Sequence, residues 1–286
     1  MNKKNLKKIF VIGSANFTQK YGADPIKIKI KEIKKIIDLS KRNSIYKIDT
    51  ADSYFKSNIL FKNIDKKFQF ITKMVPDERW ESLNYCRLKL NNHFKNFNGN
   101  KVETLLFHDS QILLKKNGSK IFKNIETFKK KYFEKIGLSI YDTKNLNYII
   151  SNYNIDIIQC PYNILDKRIV NSGWIKKLKD KGIETHVRSI FLQGLLVNKQ
   201  VYKKKYFNKW KKKISDWFLW LENNNISPLD YCLSDLLNYD FDQIVIGVNN
   251  YANLKEIINF KVIKKKYKFL NLKKNDLNLI DPRNWK

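Results

Sequence analysis

The chain has 286 residues, 43% of them hydrophobic, and a formal net charge of +30. It is long enough for one sizeable core, and a barrel of alternating strands and helices, which needs ~250 residues, would use nearly all of it. No stretch approaches the ~20 uninterrupted apolar residues that span a bilayer. The short apolar run after the basic start also lacks the long apolar region and cleavage site of a secretion signal, so a cytoplasmic protein without membrane insertion is expected.

Apolar runs of strand length recur along the chain, each followed by an amphipathic segment. In order they are Ile9–Gly13, Tyr46–Asp49, Phe68–Lys73, Val102–His108, Phe133–Ser139, Ile155–Cys160, Ile183–Arg188 and Gln243–Gly247, all rich in Ile, Val or Phe. Between them, patterns such as KEIKKIIDLSK, NLNYIISNY and NLKEIINF carry apolar residues at i, i+3 and i+4, the spacing of a helix face. Ser227-Pro228-Leu229-Asp230 reads as an N-cap, a proline at the first helical position and an acid in the first turn. Asp142 reads as the cap of the helix through Asn147 and Ile150. Residues 270–286 are polar with Trp285 near the end, a C-terminal tail either laid over the body of the protein or loose. Eight strands alternating with helices predict one domain over 1–286, a parallel (β/α)8 TIM barrel with its core at about 9–262. A doubly wound open sheet is the alternative, but no GxGxxG follows the first strand.

Cys86, Cys160 and Cys232 lie far apart and form no CxxC pair, which argues against a disulfide framework. Among His93, His108 and His186 none are paired at i, i+4, so no dedicated metal site is expected. The positive charge is mostly Lys, spread over KIKIKEIKK, KLKDKG, YKKKYFNKWKKK and VIKKKYK. We read it as solvated helix faces. The alternative is an anionic partner, whether nucleic acid, membrane surface or a phosphorylated substrate, but no nucleic-acid fold signature accompanies the charge.

In a barrel of this kind the active site lies at the C-terminal ends of the strands. The second predicted strand ends at Asp49, with Tyr54 on the following loop; the third ends at Lys73 and the fourth at His108. Three consecutive strands thus deliver a carboxylate, a phenol, an ammonium and an imidazole to one mouth. Each suits carbonyl reduction. A phenol supplies the proton that the developing alkoxide needs, and a nearby ammonium favours the phenolate. A carboxylate holds the ammonium in place, and an imidazole can donate a hydrogen bond to the carbonyl oxygen.

The segments IDTADSY, FITKM, LLFHD, GLSIYD, IQCPYNILDKR, HVRSIFLQGLL and IVIGVNNYANLKE occur in the order found in aldo/keto reductases, and the chain resembles that family from about Ile12 to Phe260. The resemblance implies an NAD(P)-dependent oxidoreductase that interconverts a carbonyl and an alcohol, with Tyr54, Asp49, Lys73 and His108 as the catalytic set and Tyr54 as general acid and base. It implies that Ser139 and Gln159 hold the nicotinamide carboxamide. Ser189, Leu192 and Gly194 would line the pyrophosphate path, and Gly247, Asn249, Asn250 and Asn253 would meet the adenosine end. HVRS…LQGLL and PYNILDKR look most like bacterial members associated with sugar or surface-polysaccharide genes, which implies carbohydrate metabolism.

The chain departs from the family pattern at several places. Phe55 and Asn58 stand where the Gly and Glu after the tyrosine are usual, and Ile140 stands where an Asn follows the strand serine. Arg188 stands where an aromatic residue stacks on the nicotinamide, and Asn250 and Asn253 where basic residues hold the 2′-phosphate. Neutral amides suit NAD(H) while the overall charge attracts any phosphate, so both coenzymes stay open. The expected partner is a small carbonyl or sugar-derived molecule, its pocket lined by Phe17, Tyr21, Phe55 and Phe191. A non-catalytic binding or regulatory subunit of the same lineage is the alternative function.

Overall fold

Eight parallel strands, β1 (Phe10–Gly13), β2 (Lys47–Asp49), β3 (Gln69–Met74), β4 (Val102–Phe107), β5 (Lys135–Ser139), β6 (Ile157–Pro161), β7 (Glu184–Arg188) and β8 (Gln243–Gly247), form a closed barrel in sequential order. They are seen in a computed structural model that describes residues 3–18, 28–54, 60–61, 64–266 and 276–285. The barrel closes where β1 pairs with β8, Phe10 opposite Ile244 through Gly13 opposite Gly247. Each predicted apolar run overlaps its strand to within a residue or two at either end; β3 and β6 run one residue past the predicted end, to Met74 and Pro161. Tyr21, Phe55 and Asn58 lie outside the described residues.

Both faces of the strands are buried, and the two-residue period of a strand sorts them. Val11, Ile71, Leu106, Ile157 and Val245 form a small apolar cluster of their own. Their neighbours Phe10, Ile12, Phe70, Leu105, Phe107, Ile158, Ile244 and Ile246 belong to the larger cluster shared with the surrounding helices. The small cluster is therefore the filled interior of the barrel, and the larger one is the layer between strands and helices. The helix Ile30–Arg42 turns Ile33, Ile36 and Leu39 into that layer, as its i, i+3, i+6 spacing requires.

Two residues beyond each member of the small cluster come Gly13, Lys73, His108, Gln159 and Gly247, His108 just past the end of β4. The layer above the apolar plug is thus built from polar side chains and glycines, and it opens at the C-terminal ends of the strands.

Local expectations fared unevenly. Ser227 accepts from the backbone N–H of Asp230, and Pro228 opens the helix Pro228–Leu236. Asp142 is a correction. Its carboxylate accepts from the backbone N–H of Lys144, closing a turn, while the helix Leu146–Asn152 begins after Asn145 with no side-chain cap. An acidic residue two positions before a main-chain N–H forms a local turn as readily as a cap.

Residues 276–285 pack on the body of the protein. Leu279 and Ile280 join a second apolar cluster with Phe207, Trp210 and Trp217, and the Trp210 indole donates to Asp276 at 2.9 Å. All three cysteines are buried free thiols. Burial pushes the Cys86 thiol up to about 11 and Cys160 up to about 12, so both stay protonated and inert near neutral pH.

Gly137 on β5 is packed closely against the neighbouring strands β4 and β6. A Cβ there would lie 2.3 Å from the Ile157 carbonyl oxygen and 2.8 Å from Leu106 Cδ2. Gly137→Ala is expected to destabilise the protein by about 1–3 kcal/mol or more, because the obstacle includes strand backbone that cannot rotate away. Chemical denaturation measures this; a change below about 0.5 kcal/mol, the size of an ordinary surface substitution, would contradict the packing described.

Candidate active site

The loop after β2 extends the sheet ladder beyond the strand. Ser14 N–H donates to Asp49 O at 2.9 Å, Thr50 N–H to Ile71 O at 2.8 Å and Asp52 N–H to Lys73 O at 2.8 Å, before a turn from Ala51 to Tyr54. These bonds lay the loop across the top of β3 and bring Tyr54 to Lys73. The Lys73 Nζ lies 5.9 Å from the centre of the Tyr54 ring. The Tyr54 and His108 rings meet edge to face with centroids 6.3 Å apart.

Beneath the loop, His93 is buried on the helix Leu83–Phe94. One ring nitrogen hydrogen-bonds the Thr72 hydroxyl at 2.8 Å and the other faces the Asp52 carboxylate at 3.2 Å. The hydrogen bond from His93 holds the Asp52 carboxyl below its ordinary pKa. His93 thus ties the Tyr54 loop to the helix behind it. Sequence reading gave His93 no role, because nothing local distinguishes it from any helix histidine.

Lys73 is 2% exposed and Asp49 4% exposed, and the two form an ion pair. The second Asp49 oxygen accepts from Gln159 Nε2 at 2.8 Å, and Lys73 also donates to Thr50 O at 3.3 Å. Burial pushes the Lys73 pKa down, the Asp49 charge and hydrogen bond oppose this, and the Arg188 charge adds to the lowering. His108 is pushed down to about 4, first by burial and then by the Lys73 charge, so its ring is neutral near pH 7.

Asp49 and Tyr54 of this cluster line a cavity of about 500 Å³, within the size range of small-molecule sites. Its wall runs from Asp49 and Tyr54 through Arg188, Ser189, Phe191, Gln193 and Gly194 to Gly247, Asn249, Asn253 and Glu256. The β7–loop segment of this wall is strained. Ser189, Leu192 and Gln193 all have positive φ, of 62°, 45° and 50°. Such conformations cost about 1–3 kcal/mol each and gather at functional sites.

Most of the residues expected from sequence therefore share one cavity, and the others take different places. Ser139 and Gln159 are buried opposite each other on β5 and β6. Leu192 is fully buried in the second apolar cluster. Asn250 caps the helix Tyr251–Ile258, its side chain accepting from Asn253 N–H at 2.8 Å. Asn249 is held by Asn16, which donates to it at 2.7 Å. Of the expected aromatic lining, Phe191 is in the wall, while Phe17 is buried. Gln193, Asn198 and Glu256 in the wall were not anticipated, since which loop residues converge depends on tertiary placement.

The residues present fit a nicotinamide coenzyme. Among the described residues the Gln159 Oε1, a buried acceptor, has no partner, and a carboxamide N–H would satisfy it. At Gly247 a Cβ would meet nothing within 4 Å, so the wall there opens into space for a ligand.

The model of the aldo/keto reductase family matches residues 10–281, and the chain belongs to that family. Its members are oxidoreductases that use NAD(P)H to reduce small carbonyl compounds. Among solved structures, the chain is similar to the holo form of aldo-keto reductase AKR11C1 from Bacillus halodurans, with TM-score 0.70 and 16% identity over 89% of this chain and 88% of that one. It is also similar to the glycerol dehydrogenase AKR11B4 from Gluconobacter oxydans, with TM-score 0.64 and 13% identity over 89% and 87%. The aldose reductase from Schistosoma japonicum follows with TM-score 0.59 and 13% identity over 91% and 84%. No curated protein sequence matches the chain.

The depressed His108 pKa has a stability consequence. A pKa of about 4 in the folded state, against 6.5 ordinarily, favours the neutral ring. Its contribution is fully present above pH 6.5 and is lost as the pH falls toward 4, where the unfolded chain binds the extra proton. His108→Gln should therefore flatten the stability profile between those limits, measured by denaturant midpoints across pH. An unchanged slope would mean that His108 titrates normally.

Proposed function

We propose that the chain reduces an aldehyde, ketone or sugar carbonyl with Tyr54 as the proton donor. The observation that carries this reading is the buried Asp49–Lys73 pair, with the Tyr54 and His108 rings gathered beside it and Asp49 and Tyr54 lining the cavity. When bound, the coenzyme supplies the hydride. Tyr54 gives its hydroxyl proton to the carbonyl oxygen as charge develops there, and the Lys73 ammonium stabilises the phenolate left behind. Asp49 keeps Lys73 charged in a buried place, and Gln159 fixes the other Asp49 oxygen. The neutral His108 ring offers a hydrogen bond to the carbonyl oxygen and orients it. The sugar assignment is supported by the HVRS…LQGLL and PYNILDKR segments alone. A cytoplasmic setting is supported by the three free thiols.

Tyr54→Phe should lower turnover of a reactive aldehyde by ~10²–10⁴-fold, the usual contribution of general acid catalysis, while coenzyme binding measured by fluorescence quenching stays nearly intact. A variant with near wild-type turnover would remove Tyr54 from the mechanism. Coenzyme binding with no turnover by the wild type of any carbonyl in a broad panel would favour the non-catalytic alternative.

We further propose that the adenosine end favours NAD(H). Asn253 and Glu256 line the cavity there, a neutral amide and a carboxylate. A carboxylate repels a 2′-phosphate and can accept from ribose hydroxyls, whereas phosphates are best held by Arg or Lys. Asn250 is a poor place to test this, because replacing it removes a helix cap worth about 1 kcal/mol. Asn253→Arg should shift the ratio of kcat/KM toward NADP(H) by at least about threefold at fixed ionic strength, well within the reach of one charge-assisted contact. A wild type already preferring NADPH a hundredfold would overturn the proposal.

A further inference from the structure

Ser139, Gln159 and His186 lie side by side on β5, β6 and β7. Arg188 follows His186 on the same face of β7 and lines the cavity wall with Asp49 and Tyr54. Its guanidinium reaches across the head of β6. It donates to the Ile140 carbonyl oxygen, one residue past Ser139, at 3.1 Å, and lies 4.3 Å from the centre of the Tyr141 ring. The group therefore crosses the strand ends that carry Ser139 and Gln159, whose buried Oε1 suits a nicotinamide carboxamide. A ring held by that carboxamide packs against the guanidinium, where the family resemblance implies a stacked aromatic side chain.

The charges around it leave Arg188 uncompensated. Among the described residues no carboxylate pairs with it, whereas Arg168 is held by Asp166 and Arg283 by Asp281. Asp49 is paired with Lys73, and His108 is uncharged near pH 7. Glu256 lines the same cavity, but it is exposed, in the second turn of the helix that follows β8. The guanidinium leans the other way, toward β5. Its charge is felt at Lys73 and at His108, the reacting end of the cavity.

The two redox forms of the coenzyme differ in charge at the ring alone. The reduced ring is neutral, and loss of a hydride leaves a pyridinium cation. A stacked aromatic side chain favours that cation through the negative face of its ring. A guanidinium repels it, the more so where water is partly excluded.

We propose that Arg188 makes the site discriminate between redox states, binding the reduced coenzyme in preference to the oxidised one, so that oxidised coenzyme leaves readily after each reduction. This rests on the coenzyme-dependent reading above, but binding alone tests it. Dissociation constants of NADH and NAD⁺, or of NADPH and NADP⁺ if that pair binds better, are measured calorimetrically. The salt is held at about 0.15 M, where attraction from the overall charge is screened within ~8 Å. The proteins are wild type, Arg188→Gln, Arg188→Lys, Arg188→Tyr and Glu256→Gln.

Wild type is expected to bind the reduced form ~10–100-fold more tightly, as one like charge at roughly 6–10 Å gives at an effective dielectric of about 20. Arg188→Gln should lower that ratio at least about fivefold, and Arg188→Lys should keep most of it. Arg188→Tyr should move the ratio furthest toward the oxidised form, and it serves as the test variant should the Gln form fail to fold. Glu256→Gln should change both affinities by the same factor and leave the ratio alone. The proposal is overturned by a wild-type ratio near one, or by a ratio that Arg188→Gln and Arg188→Tyr leave unchanged. It is also overturned if Glu256→Gln moves the ratio as much as Arg188→Gln does, since the discrimination would then belong to the cavity as a whole. Equal binding of both forms with Tyr54-dependent turnover would sink this proposal and leave the enzymatic reading standing. Arg188-dependent discrimination without turnover of any carbonyl would do the reverse, and binding of neither form would sink both.

Discussion

A buried ion pair organises this molecule. Lys73 and Asp49 are almost completely removed from water at the top of the barrel, where an isolated charge would be strongly disfavoured. Each is tolerable only because the other is there, and because Gln159 and the Thr50 carbonyl satisfy the remaining valences. Removing one partner of such a pair typically costs about 3–5 kcal/mol. The barrel carries this arrangement because strands β2, β3 and β6 hold the three side chains on rigid backbone. The reward is an ammonium of fixed position beside a phenol and an imidazole.

From that pair the electrostatics of the mouth follow. Burial and, after it, the Lys73 charge keep His108 neutral, so the imidazole acts as a hydrogen-bonding group near pH 7. The Tyr54 loop is not itself regular structure, but it is tied down by main-chain bonds to β3 and by the contact between Asp52 and buried His93. On the far side, the strained β7 loop and the helix Tyr251–Ile258 form the rest of the cavity wall. The C-terminal segment, remote in sequence, reaches this region through Arg283 and Tyr141.

Much of the fold was legible because strand period and strand count carry it. Runs such as Val102–His108 and Gln243–Gly247 are mostly apolar, as strands buried on both faces tend to be, and eight of them separated by helical patterns leave few architectures. The positions of Asp49, Lys73 and His108 at strand ends were legible for the same reason. Local detail was less secure. Asp142 and Ser227 look alike as caps in sequence, yet only Ser227 caps a helix, because the chain path after β5 gives Asp142 a turn to close instead.

The sequence alone determined the barrel, the order of its strands and the chemical types delivered to its mouth, since these depend on periodicity and on residue identity at strand ends. Only the tertiary structure decided which of those groups meet and in what state. Asn250 spends its side chain on a helix cap while Asn253 and Glu256 face the cavity, and Arg188 points into the mouth without a carboxylate among the described residues. Burial and pairing are properties of neighbours far apart in the chain. Asp49 and Gln159 are separated by 110 positions and Tyr141 and Arg283 by still more, and no local pattern records such encounters.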